Sequence, residues 1–335
     1  MGVLLALLGA FSFSLMNVFV RNGVRTSDGD TGILTTVIIN VALYVVLLTV
    51  MVATGGLGQL EPAGVAWFVL AGLAATFFGR LALFGAISHI GAARGAAIKN
   101  ATPLVAVGIA LLVLGEELTP LAALGIALIT VALGLLVWES LSREAGPAAA
   151  GTEPVTEALE SEAVADGWWD RTRSAADRTI AAMRAPARHT VLFGVALGVV
   201  AALAFGTGHV FRKLGMDVLP NALVGAAIGS TTALLAYLVT SAVRGRVVEE
   251  LASSFRSHRP WVWAAGVAGT GGQLSFFAAL AFAPVSHVSA VSGSETVLTV
   301  LCAAALARRP EAITLKIVIP AVLMFGGTAL IGLGG

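Results

Sequence analysis

Runs of about twenty apolar residues recur along this chain, and that single feature decides most of what it can become. They fall at roughly 2–20, 32–53, 65–87, 95–114, 120–138, 190–211, 221–243, 261–282, 286–307 and 312–333. At about 1.5 Å of rise per residue, each can cross some 30 Å of hydrocarbon as an α-helix. Backbone polar groups in lipid must be bonded within the protein, so a span is a helix or a strand of a closed barrel. The alternating ten-residue segments of a barrel are absent. The expected fold is an all-α polytopic membrane protein of about ten transmembrane helices. Composition agrees: 57% of the 335 residues are hydrophobic and 12% charged, against about 25% charged in a soluble domain. The first run has no basic lead and exceeds a signal-peptide core, so it is expected to be kept as the first span.

Several function classes are set aside at this point. A net charge of +1, with no basic stripe interleaved with aromatics, gives no footing for nucleic acid. One cysteine, Cys302, in an apolar run allows no disulfide and no thiolate metal site, and reads as a small buried hydrophobe. Walker, zinc and Gly-x-Ser-x-Gly patterns are missing, and the glycines of "GVAGTGGQ" lie inside a span. Neither a cofactor nor a metal is expected. The expected partners are a small-molecule substrate and the lipid bilayer, with the chain a monomer or homodimer. Gly91-xxx-Gly95, Gly194-xxx-Gly198 and Gly225-xxx-Gly229 allow close helix approach, for which internal packing is the preferred use.

Residues 139–189 break the apolar rhythm with nine acids and six arginines. Their first part is Pro/Ala/Glu-rich and reads as a disordered linker. Their second part sets Trp169, Ala176, Ile180 and Met183 at helical spacing among arginines, which fits an amphipathic helix on anionic lipid or a solvated linker helix. The domain division is therefore 1–138, a linker at 139–189, and 190–335.

The halves repeat. At a shift of 192, Phe13, Val18, Phe19 and Gly23 recur as Phe205, Val210, Phe211 and Gly215; at 193, Gly79, Leu81 and Phe84 recur as Gly272, Leu274 and Phe277. Five spans per half is an odd number, which forces the halves into opposite orientations. Inverted repeats of this kind are common among secondary transporters, whose substrate sits near the midplane between them.

The block Thr102–Leu136 has a proline in the fourth span, a Gly115-Glu116 turn and a glycine-rich fifth span containing Gly125 and Gly134. It resembles the closing part of the EamA-type repeat of the drug/metabolite transporter superfamily. The second half departs from that pattern, with Thr296 where Pro103 would fall and "ARRPEAIT" in place of "LGEELTP". The resemblance implies a ten-helix carrier of small metabolites and leaves the substrate open.

A charge at the centre of a span costs roughly 2.5–3.5 kcal/mol on insertion scales, so deep ionisable residues mark function by default. The bases inside the spans are Arg80, Lys99 and Lys316, the last near enough to an end to snorkel, and the one acid is Glu295. Polar positions coincide across the halves: Asn17 with His209, Arg80 with Gln273, Lys99 with Ser292, Thr102 with Glu295. Asn17, Arg80, Lys99, Asn100, His209, Gln273, Ser292 and Glu295 are therefore the expected substrate-binding set, around one central cavity. Pro103 is the expected hinge, since a proline cannot bond the carbonyl four residues back, that of Lys99, leaving an acceptor free beside the ammonium. Arg80 and Lys99 against Glu295 leave one positive charge in excess, which suits a carboxylate or another anionic group. Glu295 is also a possible proton site.

The function expected is secondary transport of an amino acid, organic acid or related compound by alternating access, with ion coupling or exchange, rather than enzyme activity. The alternative is a receptor or intramembrane enzyme using the same cavity; a hydrolase would want a nucleophile and base or paired carboxylates, and one deep carboxylate falls short. Loops on the face reached after the first span carry fifteen arginines, against Arg212 and Lys213 on the other. The positive-inside rule puts the 139–189 loop in the cytoplasm and both termini outside, in a plasma membrane. Ten-helix relatives are generally drawn the other way.

Overall fold

The structure is a computed structural model that describes residues 1–24, 33–56, 58–90, 98–144, 188–245, 247–256, 260–306 and 315–334. Most of the 139–189 linker, with its amphipathic candidate around Trp169, lies outside the described residues.

The elements are helical throughout. The first half contains α1 (Gly2–Val24), α2 (Ile33–Ala53), α3 (Pro62–Ala71), a π-helical stretch (Gly72–Gly79) running straight into α4 (Arg80–Ile90), α5 (Thr102–Ile109) with a π-helical end (Ala110–Leu114), and α6 (Pro120–Glu144). The second contains α7 (Arg188–Val218), α8 (Ala222–Val243), α9 (Val247–Arg256), α10 (Pro260–Leu280), α11 (Val285–Ser292), α12 (Glu295–Leu306) and α13 (Leu315–Gly334). Among the described residues, five helices are long and apolar enough to cross a membrane, within Gly2–Phe19, Leu34–Ala53, Pro62–Leu83, Leu192–Val218 and Ala222–Val243. Thr102–Leu114, Pro120–Leu135 and Val318–Gly334 are shorter apolar helices.

Local signals explain several ends. Pro62 enters the first turn of α3, where its missing N–H costs nothing. Asn221 caps α8 by accepting from Val224 N at 3.1 Å. Gly115 closes the π-helical end of α5 with φ +64°, a conformation glycine adopts without steric cost.

Packing partners exchange between the halves. α1 lies along α10, while α7 lies along the continuous α3–π–α4 helix. α1 also packs on α12, and α7 on α5. The pairs α2–α8 and α6–α13 each join equivalent helices of the two halves, and α5 packs on α11, the other part of the equivalent span in the second half. That is the pattern a pseudo-two-fold relation demands, and it makes the fold an inverted repeat. Where α6 crosses α13, a Cβ on Gly125 would come within 2.5 Å of the Gly327 carbonyl oxygen, and one on Gly327 within 2.6 Å of that of Gly125. Only glycine permits this approach. The Gly225-xxx-Gly229 pattern is spent inside the molecule: Gly225 faces Phe68 and Phe277, and Gly229 lies against Gly72. Phe68 and Phe277, both fully buried, meet edge-to-face at 5.7 Å and tie α3 to α10.

Three boundaries differ from the sequence expectation. α7 runs on to Val218, so Arg212 and Lys213 belong to a helix and not to a loop; Lys213 pairs with Asp217 at 2.7 Å. The expected end at 211 falls where the apolar run meets the charged pair Arg212 and Lys213. α9, read as loop, is an amphipathic helix against α2, with Thr35 donating to the Ser254 carbonyl at 3.3 Å. The apolar runs at 95–114 and 286–307 are not single helices: each is broken by a turn, at Asn100–Ala101 and at Gly293–Ser294.

Candidate functional site

The two breaks are equivalent. In the first half, Ile98 and Lys99 are helical, Asn100 and Ala101 form a turn, and α5 starts at Thr102. In the second, α11 ends at Ser292, Gly293 and Ser294 form a turn, and α12 starts at Glu295, each position 193 residues on. The backbone bonds repeat: Ala101 N to Ile98 O at 3.0 Å and Ser294 N to Val291 O at 3.0 Å. So do Val105 N to Ala101 O at 3.1 Å and Leu298 N to Ser294 O at 3.0 Å.

Pro103 sits in the first turn of α5, not within a helix. The Lys99 carbonyl that it cannot serve accepts the Thr102 hydroxyl at 2.6 Å, so the free acceptor expected from sequence is in fact occupied. The second break has no proline. There the Ser294 hydroxyl donates to Val291 O at 2.7 Å. A hydroxyl bonded three residues back is thus common to both turns, and the proline is not essential to breaking the helix.

Glu295 opens α12, where the helix dipole favours a carboxylate. Asn17 of α1 donates to its Oε1 at 2.9 Å and reaches Thr299 Oγ1 at 3.4 Å. Ser14, one turn earlier, donates to the Glu295 carbonyl at 2.9 Å. Asn17 and Glu295, two separate members of the expected set, are therefore in direct contact.

α7 supplies the second wall. Phe205, His209 and Arg212 fall on one face at i, i+4 and i+7. Lys99 Nζ stands 5.6 Å from the centre of the Phe205 ring. His209 Nδ1 is 3.0 Å from Ser289 Oγ of α11, and its ring lies 4.6 Å from that of Phe276. The Arg212 guanidinium lies over Phe276 and Phe277 of α10, at 5.3 and 5.4 Å. His209 lies within the fields of both Lys99 and Arg212, and Arg212 within that of Arg80. Arg80, half-buried, follows the π-helical stretch, whose Thr76 carbonyl accepts the Tyr237 hydroxyl at 2.9 Å. A π turn shifts the residues after it around the helix, and such turns recur at functional positions.

Other expected members stand apart. Gln273 is buried and bonded to α8, accepting from Ser230 at 3.2 Å and donating to Ala226 O at 3.4 Å. Ser292 donates to Val288 O of its own helix at 2.7 Å. Asn100 is half-buried in the turn beside Lys99.

Arg212 was the main residue missed. Its signal is its position, three residues after His209 on the same helical face, just beyond the expected span end at 211. Glu116 was read only as part of a turn. Its carboxylate accepts Val285 N at 2.7 Å and Ser286 N at 3.0 Å, capping α11 across the two halves. A separate hollow of about 470 Å³ lies between the start of α1 and the ends of α10 and α13, apolar except for His287 and Thr328.

A solved crystal structure of a protein matches 98% of this chain over 96% of its own length, at a TM-score of 0.62 and 17% identity, a likeness of fold. No curated protein matches. The EamA-like transporter family matches residues 1–138 and 192–333, both halves of the pseudo-two-fold and neither side of it alone. By that match the chain belongs to the EamA-like transporter family, and is an integral membrane transporter of the drug/metabolite transporter superfamily built on an inverted repeat.

Proposed function

We propose that the chain is a secondary carrier with ten transmembrane helices in two inverted five-helix repeats, 1–138 and 190–335. It moves a small metabolite, such as an amino acid, organic acid or related compound, across the plasma membrane by alternating access, coupled to an ion or to exchange. The observation that carries this reading is the pair of equivalent helix breaks, each flanked by deep polar groups. Irregular backbone at membrane depth is tolerated where it lies within protein or lines a wet path. In inverted-repeat carriers the broken helices bracket the solute site.

In this reading the solute lies between the Asn17–Glu295 side and the Phe205–His209–Arg212 face, touching Lys99, Asn100 and Ser292 at the breaks. Arg80 and Gln273 act from the third helix of each half. Glu295, held by Asn17, is the coupling acid, and Pro103 is part of the hinge. The two access states share one solute site, and the pseudo-two-fold maps the gate of one half onto equivalent residues of the other. The test is counterflow into proteoliposomes loaded with a panel of amino and organic acids. Saturable, protein-dependent accumulation of one compound is expected. A purified, folded protein that accumulates none of them, with or without a proton or sodium gradient, overturns the reading.

A further inference from the structure

We infer that the solute is a small organic dianion, an aliphatic dicarboxylate, lying along α7 with Lys99 at one carboxylate and Arg212 at the other. The inference rests on the carrier reading and deepens it.

Three observations support it. The first is charge. Lys99 and Arg212 line the site, Arg80 lies close enough for its charge to act on Arg212, and Glu295 is the one acid in the described part of it. Among the described residues the structure gives no ion pair to any of the three cations. Adding Arg212 raises the excess from one positive charge to two. A span does not carry two uncompensated charges without cost, and a solute with two negative charges removes it.

The second is how the cations are held. Lys99 lies over Phe205, and Arg212 over Phe276 and Phe277. A ring face steadies a cation without using its N–H groups. The donors that would otherwise be spent on a carboxylate of the protein stay available for one arriving with the solute. A planar guanidinium can then accept that carboxylate in a two-pronged bond.

The third is spacing. Phe205 and Arg212 are seven residues apart on one helical face, about 10 Å along the axis. The two cations are thus carried at successive levels of one helix, which suits a short solute with an anionic group at each end. His209 sits between the cations and is bonded to Ser289, so it offers a polar middle to such a chain.

The experiment is ligand-dependent thermal stabilisation of the purified protein in detergent, with succinate, glutarate, butyrate, alanine and putrescine, followed by counterflow of the compounds that bind. Succinate or glutarate should bind at least tenfold more tightly than butyrate, alanine or putrescine. Lys99→Gln and Arg212→Gln should each weaken that binding at least tenfold, and Arg212→Lys should recover part of it. Monodisperse elution of each variant shows that it is folded. Absence of dicarboxylate binding to the wild-type protein, equal binding of butyrate, or unchanged affinity in both glutamine variants overturns the dianion. Dicarboxylate binding without counterflow overturns the carrier and leaves the dianion. Counterflow of a neutral or cationic compound that dicarboxylates do not inhibit overturns the dianion and leaves the carrier.

Discussion

Pro103 and Gly293 meet where the two broken helices cross: a Cβ placed on Gly293 would lie 3.4 Å from Pro103 Cγ, 3.2 Å from Leu133 Cδ1 and 3.0 Å from the Ala290 carbonyl oxygen. The breaks are not only equivalent in sequence position but in contact. A movement of one turn is therefore felt by the other.

Substitutions at this crossing should affect rate more than binding. Pro103→Ala restores an N–H to the first turn of α5 and should slow exchange between access states while keeping part of the ligand affinity. Gly293→Ala adds a methyl group into a space with no slack. It should cost about 1–3 kcal/mol of stability and slow exchange further. Counterflow rate compared with equilibrium binding measures both. Unchanged rates in both variants would remove the hinge.

The deep ionisable groups give a second expectation. Arg80→Ala, Lys99→Ala and Glu295→Gln should each abolish transport while leaving folded protein in the membrane. Asn17→Ala should weaken transport without abolishing it, since Glu295 keeps its place in the first turn of α12. Transport assays alongside size-exclusion profiles separate the cases. Normal transport in all three charge variants would exclude the site. Loss of folded protein in all three would show a structural role.

Glu116 predicts a stability effect. Two backbone N–H groups of α11 depend on its carboxylate. Glu116→Ala should destabilise by about 1.5–3 kcal/mol, the range for hydrogen bonds to a charged group. Glu116→Gln, which keeps one acceptor, should fall between. Thermal unfolding in detergent reads the order, and an alanine variant as stable as the wild type would contradict the cap.

Orientation is tested by labelling. With Cys302 replaced, a cysteine at position 150 should resist an impermeant reagent added to intact cells, if the positive-inside rule assigns the arginine-rich face correctly. Moving Arg212 and Lys213 from loop to helix leaves the opposite face with fewer basic loop residues still. Labelling from outside would reverse the assignment.

How much of this was legible beforehand follows from what each kind of information measures. The helical class and the repeat could be read from the chain, because transfer of apolar residues to lipid is additive along a sequence and a fixed offset survives in it; the contact between Asn17 and Glu295 could not. The breaks were only half legible. Pro103 announced the first, but the second rests on Gly293 and Ser294, residues common throughout a chain with 39 glycines. The offset of 193 pointed to the place, and only the backbone revealed the turn. Gln273 and Ser292 coincide with Arg80 and Lys99 in the repeat, but the bonds their side chains make, to Ser230 and to Val288, were not legible there. Equivalence fixes where a residue lies in the fold, while its hydrogen-bond partner is chosen by whatever lies nearest. Arg212 is the opposite case. In sequence it is a charge near a span's end, free to reach the surface. In the folded protein it is drawn inward over Phe276 and Phe277 from a helix 64 residues away in the chain, a choice made by packing between distant segments and written in neither of them alone.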